Sequence, residues 1–228
     1  MIEAVVFDLD GLLLDTEELW DEVREDLAHE RGGRWHERAQ QDMMGMSSPE
    51  WSRYMHDVID LAEPPEEISA EVVRRMVDRY RRQLPLLPGA VEAVKRVARR
   101  WPLGLASSSN RELIDLALDA SGLDRYFRAT VSSEEVARGK PAPDVYLEAA
   151  GRLGVAAERC AAVEDSHNGI RSAKAAGMWV VAIPNRRFPP DEDALRLADV
   201  VLESLTELTP ERIRSGEGGA ERNASAIL

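Results

Sequence analysis

Three short apolar runs, each followed at once by polar residues, constrain the fold of this chain more than any other feature. The runs are residues 4–7 before Asp8-Leu9-Asp10, residues 103–106 before Ser107-Ser108-Ser109-Asn110, and residues 160–163 before Glu164-Asp165-Ser166. Short runs rich in Val and Ala, separated by helical patterns, predict buried strands of a parallel sheet. Because such sheets bind ligands at the carboxyl ends of their strands, we expect these polar residues to gather at one place.

The rest of the chain continues this alternation of strand and helix. Further strands are predicted at residues 129–132, at residues 179–183 and near residues 200–201. Helical patterns separate them and cover residues 90–99, 111–120, 143–153 and 168–176. Alternation of this kind predicts an α/β fold, with a Rossmann-like, doubly wound parallel sheet covered by helices on both faces.

An all-helical segment is predicted between the first strand and the remaining strands. Its first helix begins after Thr16, the expected N-cap, with acidic residues in the first turn. A second helix begins at Ser48-Pro49 and is expected to end at Pro64-Pro65, and a third begins at Ser69. The predicted domains are a core of residues 1–15 and 83–212, an inserted small helical cap of residues 16–82, and a disordered tail of residues 213–228.

Composition narrows the possible partners. The formal net charge of −13 disfavours binding to nucleic acid or to an anionic membrane, since phosphate backbones require clustered cations. A small phosphorylated metabolite can still bind at a local site. The single cysteine, Cys160, excludes an internal disulfide framework and is expected to be a buried strand residue. No signal-peptide pattern or long apolar stretch is visible, so we expect a cytoplasmic protein. We expect a monomer, because the predicted elements account for every apolar stripe.

The polar clusters have both a catalytic and a plain structural interpretation. Asp8 and Asp10, two residues apart at a strand end, can supply a nucleophile and a proton carrier, or can form an Asx turn. Taken alone, Ser107 belongs to a helix start, Glu164-Asp165 to a solvated turn, and Lys140 to the surface. Their joint placement at one sheet edge favours a site for a divalent cation and a phosphoryl group.

Four motifs in this chain resemble those of the haloacid dehalogenase superfamily, in the expected order over residues 1–205. The first is the string Phe7-Asp8-Leu9-Asp10-Gly11-Leu12-Leu13-Leu14-Asp15-Thr16-Glu17. Ser107 matches the hydroxyl of the second motif, and Lys140 in Gly139-Lys140-Pro141 matches the lysine of the third. Glu164-Asp165 matches the acid pair of the fourth motif.

The resemblance implies a role for each matching residue. Asp8 would be the nucleophile that becomes an aspartyl-phosphate, and Asp10 the general acid and base. Ser107 and the amides after it would hold phosphoryl oxygens, while Lys140 would supply positive charge. Mg²⁺ is the implied cofactor, and its ligands would be the Asp8 carboxylate, the Asp10 backbone carbonyl, Glu164 and Asp165.

Substrate selection is expected from the cap and from the residues after the second strand. The loop of residues 43–48 would contact the part of the substrate beyond the phosphate, with Glu17 and Trp20 facing it. The alternatives are core packing for its methionines and a helix-cap or surface role for Asn110. The predicted substrate-binding residues are Glu17, Trp20, Gly45, Ser47, Ser108 and Asn110.

Within the superfamily, the chain resembles the beta-phosphoglucomutase-like group. Trp20 stands where mutases of that group carry a histidine, and Ser47-Ser48 stands where they carry an arginine that holds a second phosphate. These departures weaken the mutase interpretation. The strings Leu14-Asp15-Thr16-Glu17-Glu18-Leu19-Trp20 and Leu86-Leu87-Pro88-Gly89 look more like sugar-phosphate phosphatases of the 2-deoxyglucose-6-phosphate type. The resemblance thus favours a Mg²⁺-dependent phosphatase for small phosphomonoesters, with sugar phosphates as substrates. A hexose-phosphate mutase and a non-catalytic metabolite-binding module are the two alternatives.

Overall fold

Six parallel strands form one sheet in the computed structural model, which describes residues 1–43 and 46–214. The order β3-β2-β1-β4-β5-β6 reverses direction between β1 and β4, which confirms the predicted doubly wound α/β fold. Ligands bind outside the strand ends at such a reversal. The strands are β1 (Ala4–Phe7), β2 (Leu103–Ser107), β3 (Phe127–Ser132), β4 (Cys160–Glu164), β5 (Trp179–Ala182) and β6 (Val200–Val201).

Both faces of the sheet are buried. On β1, Val5 and Phe7 belong to one apolar cluster and Ala4 and Val6 to the other, and all four side chains are fully buried. Helices α5 and α6 contribute to the first cluster, and α7 and α8 to the second. Six α-helices follow residue 82 in the described part of the chain. They are α5 (Ala90–Ala98), α6 (Arg111–Ser121), α7 (Asp144–Leu153), α8 (His167–Ala175), α9 (Glu192–Leu195) and α10 (Pro210–Arg214).

Four helices, here called the cap helices, lie between β1 and α5. Helix α4 packs against α1 and α3, and it also contacts α6 of the core. Its buried residues Val72, Met76 and Tyr80 recur at helical spacing and form the stripe that the other elements cover. The cap helices are α1 (Glu17–Glu30), α2 (Ala39–Met43), α3 (Ser48–Asp57) and α4 (Pro65–Arg82).

The sequence interpretation was wrong about the second and third cap helices. Helix α3 ends at Asp57, well before Pro64-Pro65, and α4 begins at Pro65 instead of Ser69. Proline is well suited to the first turn of a helix, because the N–H that it lacks would have no intrahelical partner there. The proline pair therefore begins a helix, and the short helix α2 was missed altogether.

The predicted capping role of Thr16 is also wrong. Thr16 occupies the N-cap position of α1, but its side chain makes no capping hydrogen bond. Its hydroxyl donates instead to Oδ1 of Asp10 at 2.7 Å. The buried position of Cys160 in β4, in contrast, is as predicted.

Two further predictions, the disordered tail and the role of Gly45, concern residues that lie wholly or mostly outside the described ranges. Helix α10 extends through Arg214 and buries Ile213, two residues into the predicted tail, and residues 215–228 lie outside the described residues. Gly45, predicted to bind substrate, lies outside them as well. In residues 1–43 and 46–214, no helix combines the length and apolar character that a membrane span requires.

Candidate active site

Three acidic side chains meet where β1 and β4 end. Phe7 pairs with Val163 across these neighbouring strands, so the residues that follow them leave the sheet side by side. One carboxylate oxygen from each of Asp8, Glu164 and Asp165 lies within 4.8 Å of the others, and all three residues are buried. The sheet register thus brings together residues more than 150 positions apart in the chain.

Lys140 supplies the positive charge of this acidic cluster. Its Nζ lies 2.8 Å from Oδ1 of Asp8 and 2.6 Å from Oε1 of Glu164, and the residue is 3% exposed. Burial by itself lowers the pKa of Lys140, but the two carboxylates outweigh it and raise the pKa above its ordinary value. Lys140 is therefore a permanent buried cation bound to two acids.

Glu164 is held by five donors. Its Oε1 accepts from Lys140 and from the Tyr146 hydroxyl, the latter at 2.7 Å. Its Oε2 accepts from the backbone N–H of Asp165 at 3.1 Å and from the N–H and hydroxyl of Ser166 at 3.3 and 3.1 Å. With so many donors the carboxylate has one available orientation, and it fixes the position of Lys140.

Two glycines leave the space that the acids occupy. A Cβ on Gly11 would lie 2.1 Å from Oδ2 of Asp165, and Gly11 also has a φ of +74°, which favours glycine. A Cβ on Gly169 would lie 1.9 Å from the Glu164 carboxylate. Both positions of the motif therefore require glycine for a steric reason.

The acidic cluster fits a hard divalent cation. Oδ1 of Asp165 is buried without a hydrogen-bond partner, which is the state expected of a free ligand atom. Burial, and then Glu164, raise the pKa of Asp165 well above its ordinary value. Burial likewise raises the pKa of Asp8 to about 8, although Lys140 opposes the shift. A cation bound between these oxygens would favour the ionised form of both carboxyls.

Asp10 lies outside the acidic cluster, and its carboxylate joins the cap helices to the end of β2. Oδ1 accepts three hydrogen bonds from cap residues, and Oδ2 accepts two from serines. Donors from the cap and donors from the core therefore hold this carboxylate together, at the carboxyl end of the sheet. The donors and distances are Thr16 (2.7 Å), Trp20 Nε1 (3.4 Å) and Tyr80 (3.4 Å) to Oδ1, and Ser109 (2.7 Å) and Ser107 (3.3 Å) to Oδ2.

The serines after β2 differ in their placement. The fully buried Ser107 hydroxyl donates to Asp10 and accepts from the N–H of Ser109 at 3.0 Å. Ser108 and Ser109 line the adjacent pocket. Ser107 as a phosphoryl ligand stays a prediction, and Ser109 is a site residue that sequence reasoning missed. Its signal was the unbroken run of three serines.

A pocket with about 50 Å³ of free space lies between the cap helices and the sheet edge. Asp8, Asp10 and Lys140 line it from the core, and Glu17, Trp20 and Met46 line it from the cap. The structure thus brings most of the predicted catalytic residues and three of the predicted substrate-binding residues, including Ser108, to one pocket.

Ser47 and Asn110, also predicted to bind substrate, contact other protein groups. Ser47 caps α3 through a capping box with Glu50. Oδ1 of Asn110 accepts from the Ser48 hydroxyl at 2.8 Å, and its Nδ2 donates to Glu134 at 2.6 Å. Asn110 therefore connects cap helix α3 to the core, a role that neither sequence interpretation included.

Arg24 and Trp51 also line the pocket, and sequence reasoning missed both. The guanidinium carbon of Arg24 lies 4.7 Å from the ring centroids of Trp20 and Trp51. A signal was present in α1, because Arg24 follows Trp20 by four residues. It thus belongs to the same buried face as Val23 and Leu27, where a charged residue is out of place.

The raised pKa of Glu17 predicts a pH-dependent stability. Burial, followed by the charge of Asp10, raises the pKa of Glu17 from 4.5 to about 7. Between these two values the folded state binds more protons than the unfolded state, so the free energy of unfolding falls as pH rises through that range. Replacing Glu17 by Gln removes this effect, and we expect the variant to be more stable than wild type by on the order of 2 kcal/mol at pH 8.

Urea unfolding with EDTA at pH values from 5 to 8 measures this difference. The stability gained by Glu17→Gln is expected to shrink steadily towards pH 5. Exposed Glu37 provides the matched control, and Glu37→Gln should leave the pH profile unchanged. A gain for Glu17→Gln that is the same at every pH would contradict the assigned pKa.

One known protein family matches most of this chain. The family described as haloacid dehalogenase-like hydrolase matches residues 2–177. That range includes both aspartates that follow β1, Lys140 and the acid pair Glu164-Asp165 at the end of β4. All four motifs noted in the sequence therefore fall within the matched range.

Individual relatives are named as phosphatases. "Hexitol phosphatase B" of Escherichia coli K12 is 37% identical over 218 residues, which cover 91% of this chain and 95% of the relative. "Phosphorylated carbohydrates phosphatase" of Thermotoga maritima is 32% identical, covering 78% of this chain and 82% of the relative. The solved structure of CbbY from Rhodobacter sphaeroides in complex with phosphate is similar at a TM-score of 0.80 and 30% identity, covering 91% of this chain and 96% of CbbY.

Proposed function

Because the chain belongs to the haloacid dehalogenase-like hydrolase family, we infer that it is a Mg²⁺-dependent phosphatase for small phosphomonoesters, with sugar and polyol phosphates as the favoured class. Two of its relatives, at 37% and 32% identity, are named as phosphatases of hexitols and of phosphorylated carbohydrates, and a third, at 34% identity, is named as a probable pseudouridine-5'-phosphatase. The chain is a phosphoric monoester hydrolase like them. The observation that supports the mechanism best is the position of Asp8, which is bound to Lys140 and within 4.8 Å of Glu164 and Asp165.

Asp8 is proposed as the nucleophile. One of its carboxylate oxygens attacks phosphorus, and the bond from phosphorus to the ester oxygen breaks as the aspartyl-phosphate forms. The leaving alkoxide takes a proton from Asp10, which lines the same pocket. Water then attacks the aspartyl-phosphate and gives a proton to Asp10, and inorganic phosphate leaves as the Asp8 carboxylate re-forms.

Charge compensation makes this attack of an anion on an anion possible. Lys140 donates to the nucleophile itself and lines the pocket beside it. Mg²⁺, held by Asp8, Asp165 and Glu164 and by the backbone carbonyl of Asp10, would supply further positive charge for the carboxylates and the phosphoryl oxygens. Since five donors already occupy Glu164, we assign it mainly to holding Lys140 in place.

The segment of residues 16–82 is proposed as a cap on a core of residues 1–15 and 83–212. Its residues Glu17 and Trp20 line the pocket opposite Lys140 and would face the part of the substrate beyond the phosphate. Because residues of both the cap and the core line the pocket, we propose that the cap moves away from the core to admit substrate. The same proposal takes the enzyme to be a cytoplasmic monomer.

A phosphate-release assay over polyol, sugar and nucleoside monophosphates, with Mg²⁺ or with EDTA, tests this function. We expect one equivalent of inorganic phosphate per ester consumed, and loss of turnover in EDTA that added Mg²⁺ restores. Retained phosphate, with conversion between hexose phosphates that requires a bisphosphate activator, would identify a mutase instead. Binding of esters without turnover would identify a metabolite-binding module.

A further inference from the structure

Arg24 is a cation in the pocket that has no carboxylate as a direct partner among residues 1–43 and 46–214. The residue is 6% exposed, and its guanidinium lies in the angle between the indole rings of Trp20 and Trp51, whose centroids are 6.0 Å apart. Two indole rings near a desolvated guanidinium stabilise its charge. They offer no hydrogen-bond acceptor in exchange for the water that Arg24 has lost.

In the part of the chain that the structure describes, at least one hydrogen-bond donor of Arg24 is unused. Its Nε is buried and has no hydrogen-bond partner. Among the residues that the structure describes, no carboxylate lies within 4.0 Å of its guanidinium. Burial lowers the pKa of Arg24 to about 10, although Glu17, Asp21 and Asp10 oppose the shift from greater distances. Arg24 is therefore charged at neutral pH, and buried charges in proteins are ordinarily paired.

The two cations that line this pocket thus differ in their availability. Lys140 is bound to Asp8 and Glu164, next to the acids that we assign to phosphoryl transfer. Arg24 is carried by α1 and lines the pocket together with Trp20, Met43 and Met46. A planar guanidinium with free N–H groups matches the two oxygens of a carboxylate or phosphate.

We propose that Arg24 binds a second oxyanion of the substrate, a carboxylate or a phosphate at the end remote from the transferred phosphoryl group. This proposal rests on the proposed phosphatase function and narrows its substrate class from sugar and polyol phosphates in general to small phosphomonoesters of this kind that carry a second acidic group. A neutral hydroxyl would accept a hydrogen bond from Arg24 but would leave its charge uncompensated. An oxyanion accepts the hydrogen bond and also compensates the positive charge of Arg24.

Matched pairs of phosphate esters test the proposal. Each pair has the same carbon chain and differs only at the remote end. The pairs are 3-phosphoglycerate with glycerol 3-phosphate, 6-phosphogluconate with sorbitol 6-phosphate, and fructose 1,6-bisphosphate with fructose 1-phosphate. The first two pairs report on a carboxylate and the third on a phosphate, so they distinguish the two sources of the oxyanion.

We expect wild type to have the higher kcat/KM for the anionic member of at least one pair. Arg24→Met keeps much of the apolar side chain and should lower that preference about tenfold or more, mainly through KM. Arg24→Lys keeps the charge without the planar fork and should retain part of the preference. Arg34→Met is the matched control, because Arg34 is an exposed cap residue whose ion pair with Asp60 is also exposed.

Binding to the Asp8→Asn variant gives a readout that does not depend on turnover. Calorimetric titration should show tighter binding of 6-phosphogluconate than of sorbitol 6-phosphate, and Arg24→Met added to that background should remove the difference. A similar test applies to the other pairs, and circular dichroism verifies that each variant is folded.

Equal binding of both members of all three pairs would overturn the proposal. So would an Arg24→Met variant that weakens both members of a pair to the same extent, since that result indicates a packing role only. If the proposed phosphatase function is wrong and the binding proposal is right, the results differ from these. No ester then releases phosphate, while the difference in binding between paired ligands persists.

Discussion

Asp8→Asn is expected to lower kcat by at least about a thousandfold without unfolding the protein. An amide is a far weaker nucleophile than a carboxylate, and Glu164, the other acid bonded to Lys140, is occupied by four further donors. Because burial raises the pKa of Asp8 to about 8, the metal-free wild-type side chain is itself mostly protonated at pH 7, and the amide replaces a neutral acid. Without metal, the variant should therefore be at least as stable as wild type.

Rapid quenching with a radiolabelled phosphate ester distinguishes the chemistry from a loss of binding. Wild type should carry label on the protein as an acyl phosphate, and Asp8→Asn should carry none. Asp119→Asn, a change of the same kind at an exposed position of α6, is the control and should keep full activity and labelling. Residual activity above a thousandth of wild type, or label on the variant, would exclude Asp8 as the nucleophile.

Lys140→Met is expected to lower kcat/KM by about a hundredfold to a thousandfold. Removal of a preorganised positive donor at a developing charge has an effect of this size in other enzymes. The change also leaves Asp8 and Glu164 buried beside each other without their cation, since Nζ lies within 2.8 Å of both. In EDTA the variant should therefore be less stable by a few kcal/mol, because breaking a buried ion pair leaves uncompensated charge.

Saturating Mg²⁺ is expected to restore much of the stability of Lys140→Met but little of its activity. Mg²⁺ compensates the carboxylates, whereas it does not replace the donor that contacts the nucleophile. Urea unfolding with EDTA or Mg²⁺, together with steady-state kinetics, separates the two effects. Lys95→Met, at an exposed position of α5, is the control. An unchanged kcat/KM would refute the role assigned to Lys140.

Local patterns in the sequence predicted the elements that carry the core. The β1 residues are apolar without interruption because both faces of this strand are buried, and that pattern is visible without a structure. Parallel strands end at a common edge, so the polar residues after β1, β2 and β4 were expected to approach one another. The meeting of Asp8, Glu164 and Asp165 confirms that expectation.

Predictions failed where a residue had two local interpretations. Pro65 can end one helix or begin the next, and only the packing of α4 against α1, α3 and α6 selects the second. Thr16 can cap its own helix or donate elsewhere, and the nearby Asp10 carboxylate is its acceptor in the folded chain. Asn110 hydrogen-bonds to Ser48 and Glu134, contacts that no local pattern indicated, and its role in substrate binding stays a prediction.

The sequence by itself determined the parallel sheet, the interval occupied by the cap helices and the identity of the acidic cluster, because periodicity and strand ends are local properties. Only the tertiary structure decided which side chains face one another across the cap and core. Residues of α1, α3 and α4 reach Arg24 and Asp10 through the relative placement of whole helices. Helical spacing assigns a residue to a face, but the partner of that face depends on packing between segments distant in the chain.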